Sequence, residues 1–239
     1  MGILYLISTP IGNLEDITLR AAKTLFEVDL ILCEDTRRTG RLLEWLQSCG
    51  DLRDFSEVRR PELLSYTDYT REKRMDEVLA RLARGQKIAL VSNAGTPLLS
   101  DPGFKLVQRV IELSKDFAVR VESLPGANAV LPAMQLSGFP PDKFLFLGFL
   151  PKKSGKRRKL IENLALILGN IKLTVVCFES PYRLLESLED IRDVLGDIQI
   201  AVCRELTKMH EEVFRGPVSE AINHFGSKRV KGEVTIVLT

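Results

Sequence analysis

Residues 87–103 read KIALVSNAGTPLLSDPG, and this stretch gives the clearest indication of the fold class. Its first five residues form a short apolar run, which is typical of a buried strand. The loop that follows, 92–103, holds two prolines and two glycines, so it is stiff and lets a ligand come close to the main chain. A helix is predicted next, at 104–114. A buried strand, a loop and a helix in this order form the repeating unit of a parallel α/β sheet.

The same order of elements recurs on both sides of this stretch. Short apolar runs at 3–7, 30–33 and 118–121 predict further strands, and helical periodicity at 14–28 and 71–84 predicts helices. We therefore expect an α/β fold with a mostly parallel sheet and helices on both of its faces.

A turn-rich cluster, LPGAN at 124–128, interrupts this order. Beyond it, the predicted strands lie near 144–149, 173–178, 198–203 and 233–238. Helical segments lie between them. We place a domain boundary at the cluster, which predicts an N-terminal α/β domain at 1–123 and a C-terminal α/β domain at 124–239.

Composition narrows the class of protein. The chain has 239 residues, 45% of them hydrophobic, which excludes disordered, collagenous and low-complexity proteins. Its net charge of +2 is too small to indicate a nucleic-acid partner by itself. The basic residues are clustered, however, at 37–41, 71–74 and above all 152–159, whereas 186–197 is rich in acids. Such clustering is typical of a surface that binds a polyanion, although a lysine-rich stretch can also be the exposed start of a helix.

The four cysteines form no C-x-x-C pair, and three of them lie in apolar runs. They are typical of buried thiols in a reducing compartment, so we expect neither disulfides nor a metal site. The N-terminal apolar run follows no basic region and is too short to span a bilayer. We therefore expect a cytoplasmic protein that does not associate with membranes.

The loops at the carboxyl ends of the strands are the candidate ligand sites of an open α/β sheet. The loop 8–16 has one glycine and no lysine, which disfavours a nucleoside triphosphate or a dinucleotide; an ordinary turn is the alternative. The loop 92–103 offers carbonyls and amides to a nucleoside or amino-acid group, and a sulfonium centre would prefer its carbonyls to ammonium groups. Asp101 is expected to cap the helix that follows.

Two segments beyond the predicted boundary also stand out. Asn128, in the stretch 125–129, is expected either to cap the next helix or to lie in a hinge. The stretch 203–212 places a dense group of charges directly after an apolar strand, which indicates either a site or a solvated face. His210 within it is expected to be structural.

Seven motifs occur along the chain in a fixed order. They are LYLISTPIGNLEDIT (4–18), CEDTR (33–37), AGTP through SDPG (94–103), GFLP (148–151), ESPYR (179–183), RELTK (204–208) and KGE (231–233). Together they resemble the ribosomal small-subunit methyltransferase I family, and the likeness covers essentially the whole chain. The resemblance implies an enzyme that uses S-adenosylmethionine to methylate the ribose 2′-oxygen of a cytidine in the decoding region of 16S rRNA.

The resemblance also implies the tetrapyrrole-methylase (class III methyltransferase) type of fold. That fold has two α/β domains with the methyl donor in the cleft between them, and its members are usually homodimers. The implied partner is 16S rRNA or the small ribosomal subunit. The implied donor-binding residues, several of them through their main chain, are Thr9, Pro10, Ser92, Asn93, Ala94, Gly95, Thr96, Pro97, Ala127, Asn128, Ala129, Glu179, Ser180, Cys203, Arg204, Gly232, Glu233, Val234 and Thr235.

A ribose hydroxyl is a weak nucleophile at neutral pH, so the enzyme must align it and help to remove its proton. Our hypothesis is that Glu34 or Asp35 of the first domain meets Glu205, Lys208 or Glu211 of the second. A lysine flanked by carboxylates either accepts the proton, if it is desolvated, or orients the hydroxyl. The predicted contacts to RNA phosphates are Arg37, Arg38, Lys152, Lys153, Lys156, Arg157, Arg158 and Lys159.

Three departures from the family pattern leave alternatives open. Asn93 stands where the family usually has Asp, and TDYT at 67–70 stands where it usually has His-x-His-Asn. Many members also continue beyond the position of residue 239, so we expect this chain to lack the RNA-contacting tail of those members. One alternative is a methyltransferase of the same fold that acts on a tetrapyrrole-like small molecule. The other is a non-catalytic RNA-binding protein of ribosome assembly.

Overall fold

A computed structural model describes residues 1–49, 60–67 and 69–239. The chain forms two compact units, Met1–Asn128 and Ala129–Thr239. Each has its own sheet and its own hydrophobic core. We refer to them as the N-terminal unit and the C-terminal unit.

The N-terminal unit alternates strands and helices. Its elements are β1 (Gly2–Ile7), α1 (Leu19–Glu27), β2 (Leu30–Cys33), α2 (Thr36–Ser48), β3 (Glu62–Ser65), α3 (Arg71–Ala83), β4 (Lys87–Val91), α4 (Phe104–Leu113) and β5 (Val119–Leu124). The strands form one sheet in the order β3-β2-β4-β1-β5, and every neighbouring pair is parallel. The predicted parallel sheet is confirmed for this unit. All five strands therefore end at the same edge.

Strand alternation gives this sheet two buried faces. Residues Ile31 and Cys33 of β2 pack on one face with α1 and α2. Leu30 and Leu32 pack on the other with α3 and α4. Because both faces are covered, the inner strands β1, β2 and β4 are almost entirely apolar rather than alternating, which is why the sequence shows them as apolar runs.

The first helix begins later than its periodicity predicts. Residues Leu14–Asp16 form a separate turn of 3₁₀ helix, and α1 starts at Leu19. The reason is local, because the Thr18 hydroxyl accepts a hydrogen bond from the Ala21 amide at 3.1 Å and caps α1. Such a cap fixes a helix start more strongly than the apolar spacing before it.

The C-terminal unit has a sheet of a different kind. Its elements are α5 (Val130–Ser137), β6 (Phe144–Phe149), α6 (Ser154–Leu168), β7 (Thr174–Glu179), α7 (Leu184–Leu195), β8 (Gln199–Arg204), β9 (Glu212–Pro217), α8 (Val218–Gly226) and β10 (Val234–Leu238). The sheet order is β6-β7-β10-β8-β9, in which only β6 and β7 are parallel. The sheet of this unit is thus mixed, whereas that of the N-terminal unit is entirely parallel. The short β8–β9 connection allows only an antiparallel hairpin, and β10 runs antiparallel to both of its neighbours.

Helices α6, α7 and α8 cover one face of this second sheet and share its core with the strands. Helix α5 contacts β7, β8 and β10 from the opposite side. The last strand, β10, lies in the middle of the sheet, between β7 and β8. Within the described ranges, every helix is too short or too polar to cross a membrane.

Candidate active site

Three loops meet at the carboxyl edge of the N-terminal sheet. They follow β1, β4 and β5, which are adjacent strands. Thr9 and Gly95 exchange two main-chain hydrogen bonds, each 2.9 Å long, which joins the first two loops. This single bridge continues the sheet beyond the ends of its strands.

Four hydroxyl groups complete the connection between these loops. The Thr96 hydroxyl donates to the Ala127 carbonyl at 3.2 Å, so the Ser8 hydroxyl is the donor in its 3.1 Å hydrogen bond to Thr96. The Thr9 hydroxyl donates to the Ser92 carbonyl, and the Ser92 hydroxyl donates to the Gly95 carbonyl. The loops are therefore held by uncharged groups, and their backbone is fixed in place without an ion pair.

Two glycines bring the backbones of these loops close together. Gly95 has φ +83°, a conformation that a side chain disfavours. A Cβ added to Gly126 would lie 2.8 Å from the Ser8 Cβ. Residues 8–10 and 92–97 also carry no charged side chain. This edge therefore presents main-chain carbonyls and amides to a ligand.

The N-terminal members of the predicted donor-binding set lie on these three loops. They are Thr9, Pro10, Ser92, Asn93, Ala94, Gly95, Thr96, Pro97, Ala127 and Asn128. Their common position at one edge follows from the parallel topology. That they contact a methyl donor stays a prediction.

In the C-terminal unit, the strand register brings other predicted residues together. Val234 pairs with Glu179 on one side and with Arg204 on the other. The side chains of Cys203, Val234 and Thr235 are buried, and β8 and β10 each have neighbours on both sides. We therefore expect any ligand contact at this edge to come from the less buried Arg204, and from Gly232 and Glu233 before β10.

Glu179 has a structural role that the sequence did not reveal. Its side chain is 1% exposed and accepts hydrogen bonds from the Ser180 amide and the Ser187 hydroxyl. It also pairs with Arg183. Both carboxylate oxygens therefore position the start of α7, and a contact between Glu179 and the donor stays a prediction.

Lys208 lies in a clamp of two carboxylates. Its Nζ is 2.7 Å from Glu205 Oε1 and 3.0 Å from Glu233 Oε2. Burial acts to lower the pKa of Lys208, but the hydrogen bonds and charges of Glu205 and Glu233 outweigh it and raise that pKa above its ordinary value. Lys208 is therefore an ammonium group at neutral pH. This favours an orienting role over a role as proton acceptor.

The turn that carries Lys208 is strained and tightly held. Glu205 and Thr207 have φ values of +52° and +66°, which are unusual for residues with side chains. The Thr207 amide donates to Glu211 Oε2 at 2.6 Å, so the predicted catalytic residue Glu211 organises the turn. The Glu205 carboxylate also accepts from the Glu233 amide. Strain of this kind is retained where a side chain must be placed accurately.

The remaining predicted catalytic residues lie after β2. Asp35 caps α2 by accepting from the Arg37 amide at 2.9 Å, and its carboxylate also binds the Arg37 guanidinium. These Arg37 hydrogen bonds lower the pKa of Asp35 below its ordinary value. Asp35 therefore acts as a helix cap, whereas Glu34 has no such role.

Asp101 does not cap α4 as expected, because Gly103 occupies the cap position and makes no side-chain cap hydrogen bond. The Asp101 carboxyl instead hydrogen-bonds to Glu34. Burial, and then the charge and hydrogen bond of Glu34, raise the pKa of Asp101 to about 7. Sequence reasoning missed this pair because its members are far apart in the chain. A carboxylate after each of two neighbouring strands was the available signal.

The basic stretch at the start of α6 is only partly a surface. Arg157 is 1% exposed, and its guanidinium is bound by Asp190, so the prediction that it contacts RNA is wrong. Arg158 pairs with Asp190 and Asp193. The other predicted phosphate contacts are exposed: Arg37, Arg38, Lys152, Lys153, Lys156 and Lys159. In the 67–70 motif, Asp68 lies outside the described residues.

Substituting Gly232 tests the clamp. Gly232 has φ +89°, and a Cβ there would lie 2.3 Å from the Glu205 carboxylate. Gly232→Ala should lower the free energy of unfolding, measured with urea, by more than the ~1–2 kcal/mol that positive φ alone costs a side chain. Gly138→Ala is the matched control, because Gly138 has φ +79° in open space. Equal losses in the two variants would refute a steric role for Glu205.

Asp190→Ala tests the buried ion pair. Removing Asp190 leaves the Arg157 guanidinium buried without its main partner, so we expect the free energy of unfolding to fall by about 3–5 kcal/mol. Glu162→Ala, which removes an exposed ion pair with Lys159 on the same helix, should cost about 1 kcal/mol or less. A similar small loss in both variants would show that Arg157 is not dependent on Asp190.

Comparison with known proteins identifies relatives over the full chain. The family model for tetrapyrrole (corrin/porphyrin) methylases matches residues 3–222. A Thermotoga maritima protein named ribosomal RNA small subunit methyltransferase I is 46% identical over 239 residues, covering 100% of this chain and 99% of that protein. A Synechocystis protein of the same name is 44% identical, covering 100% of this chain and 79% of that protein.

A solved structure supports the fold independently of sequence. Diphthine synthase superposes with a TM-score of 0.66 at 12% identity, covering 99% of this chain and 90% of that one. At this identity the likeness shows the fold alone. It is nevertheless the two-domain fold expected from the motifs.

Proposed function

This chain belongs to the tetrapyrrole methylase family and, within it, to the ribosomal RNA small subunit methyltransferase I proteins, and we propose that it methylates the 2′-hydroxyl of a cytidine ribose in the decoding region of 16S rRNA. It is an S-adenosylmethionine-dependent methyltransferase of small-subunit rRNA. The observation that carries the finer proposal is the 46% identity that extends over the whole chain rather than over one motif.

The loops of the N-terminal unit fit this donor. S-adenosylmethionine supplies a methyl group on a positively charged sulfur. A cation of this kind is favoured by carbonyl dipoles and disfavoured by ammonium groups, and residues 8–10 and 92–97 offer the former without the latter. Gly95 and Gly126 allow these loops to pack closely against one another, which fixes the positions of their carbonyls. We assign donor binding to these loops; the C-terminal members of the predicted set stay predictions.

The clamp in the C-terminal unit suits the acceptor. The Lys208 ammonium carries three protons and has two carboxylate partners, so one proton is left to donate to an oxygen of the ribose or to a phosphate. Glu205 and Glu233 fix its position, and alignment of a hydroxyl is itself a large part of catalysis. We therefore assign Lys208 an orienting role in binding the RNA.

We propose that each unit contacts RNA phosphates through exposed basic residues of its own. Lys152, Lys153 and Lys156 lie at the start of α6 in the C-terminal unit, and Arg37 and Arg38 lie in α2 of the N-terminal unit. We also propose a homodimer, as is usual for the fold, and a cytoplasmic location. The four free cysteines, three of them buried, agree with a reducing compartment.

Binding and activity are tested together. Calorimetry should show one S-adenosylmethionine site, and the protein should transfer a labelled methyl group to small subunits isolated from cells that lack the gene. Mapping of ribose methylation should then locate one cytidine. Donor binding without transfer to any RNA would contradict the proposal, and transfer only to a tetrapyrrole would replace it with the small-molecule alternative. Absence of donor binding would favour an assembly factor.

Lys208→Ala should reduce methyl transfer to small subunits at least tenfold while S-adenosylmethionine affinity stays within a factor of two. The physical reason is that the variant loses the group that orients the acceptor but none of the loops that hold the donor. Lys115→Ala, at an exposed lysine of the N-terminal unit, is the control. Wild-type turnover in Lys208→Ala would remove this residue from the mechanism.

Salt dependence tests the basic surface. The logarithm of RNA affinity falls with the logarithm of salt concentration by about 0.7 for each phosphate neutralised on a single strand. The triple variant with alanine at Lys152, Lys153 and Lys156 should therefore reduce the slope by about 2. Alanine at the exposed Lys23, Lys105 and Lys115 makes the same change in net charge and should leave the slope unchanged. Equal slopes in both triple variants would contradict the assignment.

A further inference from the structure

A second polar site lies on the same edge of the N-terminal sheet, beside the donor-binding loops. Leu30 and Leu32 of β2 face the core under α3 and α4, so alternation places Glu34 on that face too. The pairing of Cys33 with Ser65 puts Tyr66 next to Glu34 on the neighbouring strand. Tyr66 belongs to the same buried cluster. Glu34 and Tyr66 are therefore neighbours where β2 and β3 end.

Both side chains carry a polar atom that lacks a partner. Tyr66 is 1% exposed, and its hydroxyl has no hydrogen-bond partner among the described residues. The same holds for the buried Oε1 atom of Glu34. Buried polar atoms are almost always hydrogen-bonded in native proteins, and an unpartnered one is costly. Two such atoms at the ends of neighbouring strands form a polar place in an otherwise apolar cluster.

Asp101 brings a second carboxyl to this place. It hydrogen-bonds to Glu34 from the loop after β4, and two carboxyl groups in such contact share a proton. Leu98 and Ser100, in the same loop, have φ values of +73° and +70°, so the loop is strained to hold Asp101 there. The charged neighbour on the other side is Arg71, which acts on Tyr66.

Asp101 and part of the proposed donor site belong to the same loop, 92–103. The segment 92–97 forms part of the proposed donor site, and Asp101 follows it by only four residues. In the sheet, β4 lies between β1 and β2, so the carboxyl pair and the Thr9–Gly95 bridge flank the end of β4. The carboxyl pair thus lies at the same edge of the sheet as the proposed donor-binding loops.

We propose that Asp101 accepts the proton of the acceptor hydroxyl, with Glu34 as a positioning residue that holds the Asp101 carboxyl through their hydrogen bond. This inference rests on the proposed function. The ribose O2′–H bond breaks and its proton passes to the Asp101 carboxylate. The O2′ atom forms a bond to the methyl carbon, and the sulfur–methyl bond breaks with its electron pair left on sulfur, so that a neutral thioether results.

Asp101→Asn is the first test, with single-turnover methyl transfer to small subunits as the readout. A positioned general base contributes about 10²–10⁴-fold, so the rate should fall at least about 100-fold while S-adenosylmethionine affinity is unchanged. Asp116→Asn, at an exposed aspartate after α4, is the control. Equal rates in wild type and Asp101→Asn would overturn the inference.

The pH profile separates catalysis from structure. Because the pKa of Asp101 is about 7, the wild-type rate should rise with pH up to about that value and level off above it. Glu34→Gln removes the neighbouring negative charge, so the rising limb should move to lower pH. In Asp101→Asn the limb should disappear. A limb that stays in place in Glu34→Gln would overturn the role of Glu34.

Two measurements on the free protein make the inference independent of turnover. Carbon NMR of the side-chain carboxyls should show Asp101 titrating near pH 7 in wild type and lower in Glu34→Gln. Because the pKa of Asp101 is raised from 3.8 to about 7 in the folded protein, the wild type loses stability as the pH rises from about 4 to about 7. Asp101→Asn should therefore raise the melting temperature at pH 8 and leave it nearly unchanged below about pH 4. A lower melting temperature at pH 8 would mark Asp101 as merely structural.

The outcomes also separate this inference from the function on which it rests. A wild-type protein that binds S-adenosylmethionine but methylates no small subunits overturns the proposed function, and a ribose hydroxyl as the acceptor with it. A wild-type protein that methylates them while Asp101→Asn does so equally well overturns only the assignment of Asp101.

Discussion

The reciprocal main-chain pairing of Thr9 with Gly95 is the constraint on which the N-terminal site depends. Loops at the end of a parallel sheet must satisfy their own amides and carbonyls, and here two adjacent loops do so with each other. The Ser92 hydroxyl also donates to the Gly95 carbonyl, and the Thr96 hydroxyl, which accepts from Ser8, donates to the Ala127 carbonyl. Because no charge is needed for this, the edge stays compatible with a cationic ligand.

Buried charge is handled in opposite ways in the two units. In the C-terminal unit, Arg157 and Asp190 compensate each other, and the pair joins α6 to α7. In the N-terminal unit, Glu34 and Asp101 are both carboxyl groups, so they cannot compensate each other as an ion pair. Burial and the contact with Glu34 instead raise the pKa of Asp101 to about 7. The first arrangement is typical of a structural contact. The second is typical of an active site, because two carboxyl groups in contact destabilise the fold and are kept where they serve a function.

The fold was predictable where the local sequence shows which residues are buried. The inner strands of the N-terminal unit, β1, β2 and β4, are covered on both faces of the sheet, so they appear in the sequence as apolar runs. Their parallel direction could be predicted because helices alternate with the strands along the chain. Strand β9 was not predicted, because EVFRGP contains two charged residues, a glycine and a proline, and its place depends on the hairpin with β8. Local periodicity carries no information about such pairing.

Only those parts of the candidate site that lie in sequence motifs or directly after strands could be predicted. The loops after β1, β4 and β5 were identified because ligands bind at that edge. The burial of Arg157 was not, since its neighbours Lys156 and Arg158 make it look like part of an exposed basic stretch. The role of Asp101 was hidden for a related reason: the pattern before a helix suggested a cap, and only the fold brings Glu34 beside it.

The central place of β10 has a consequence for how the protein is made. The strand that completes the second sheet, β10, follows both of its partners, β7 and β8, along the chain. During synthesis, the edges of β7 and β8 that pair with β10 stay unpaired until β10 has left the ribosomal exit tunnel. The C-terminal unit therefore completes its sheet only after β10 has been translated, whereas the sheet of the N-terminal unit can assemble before that.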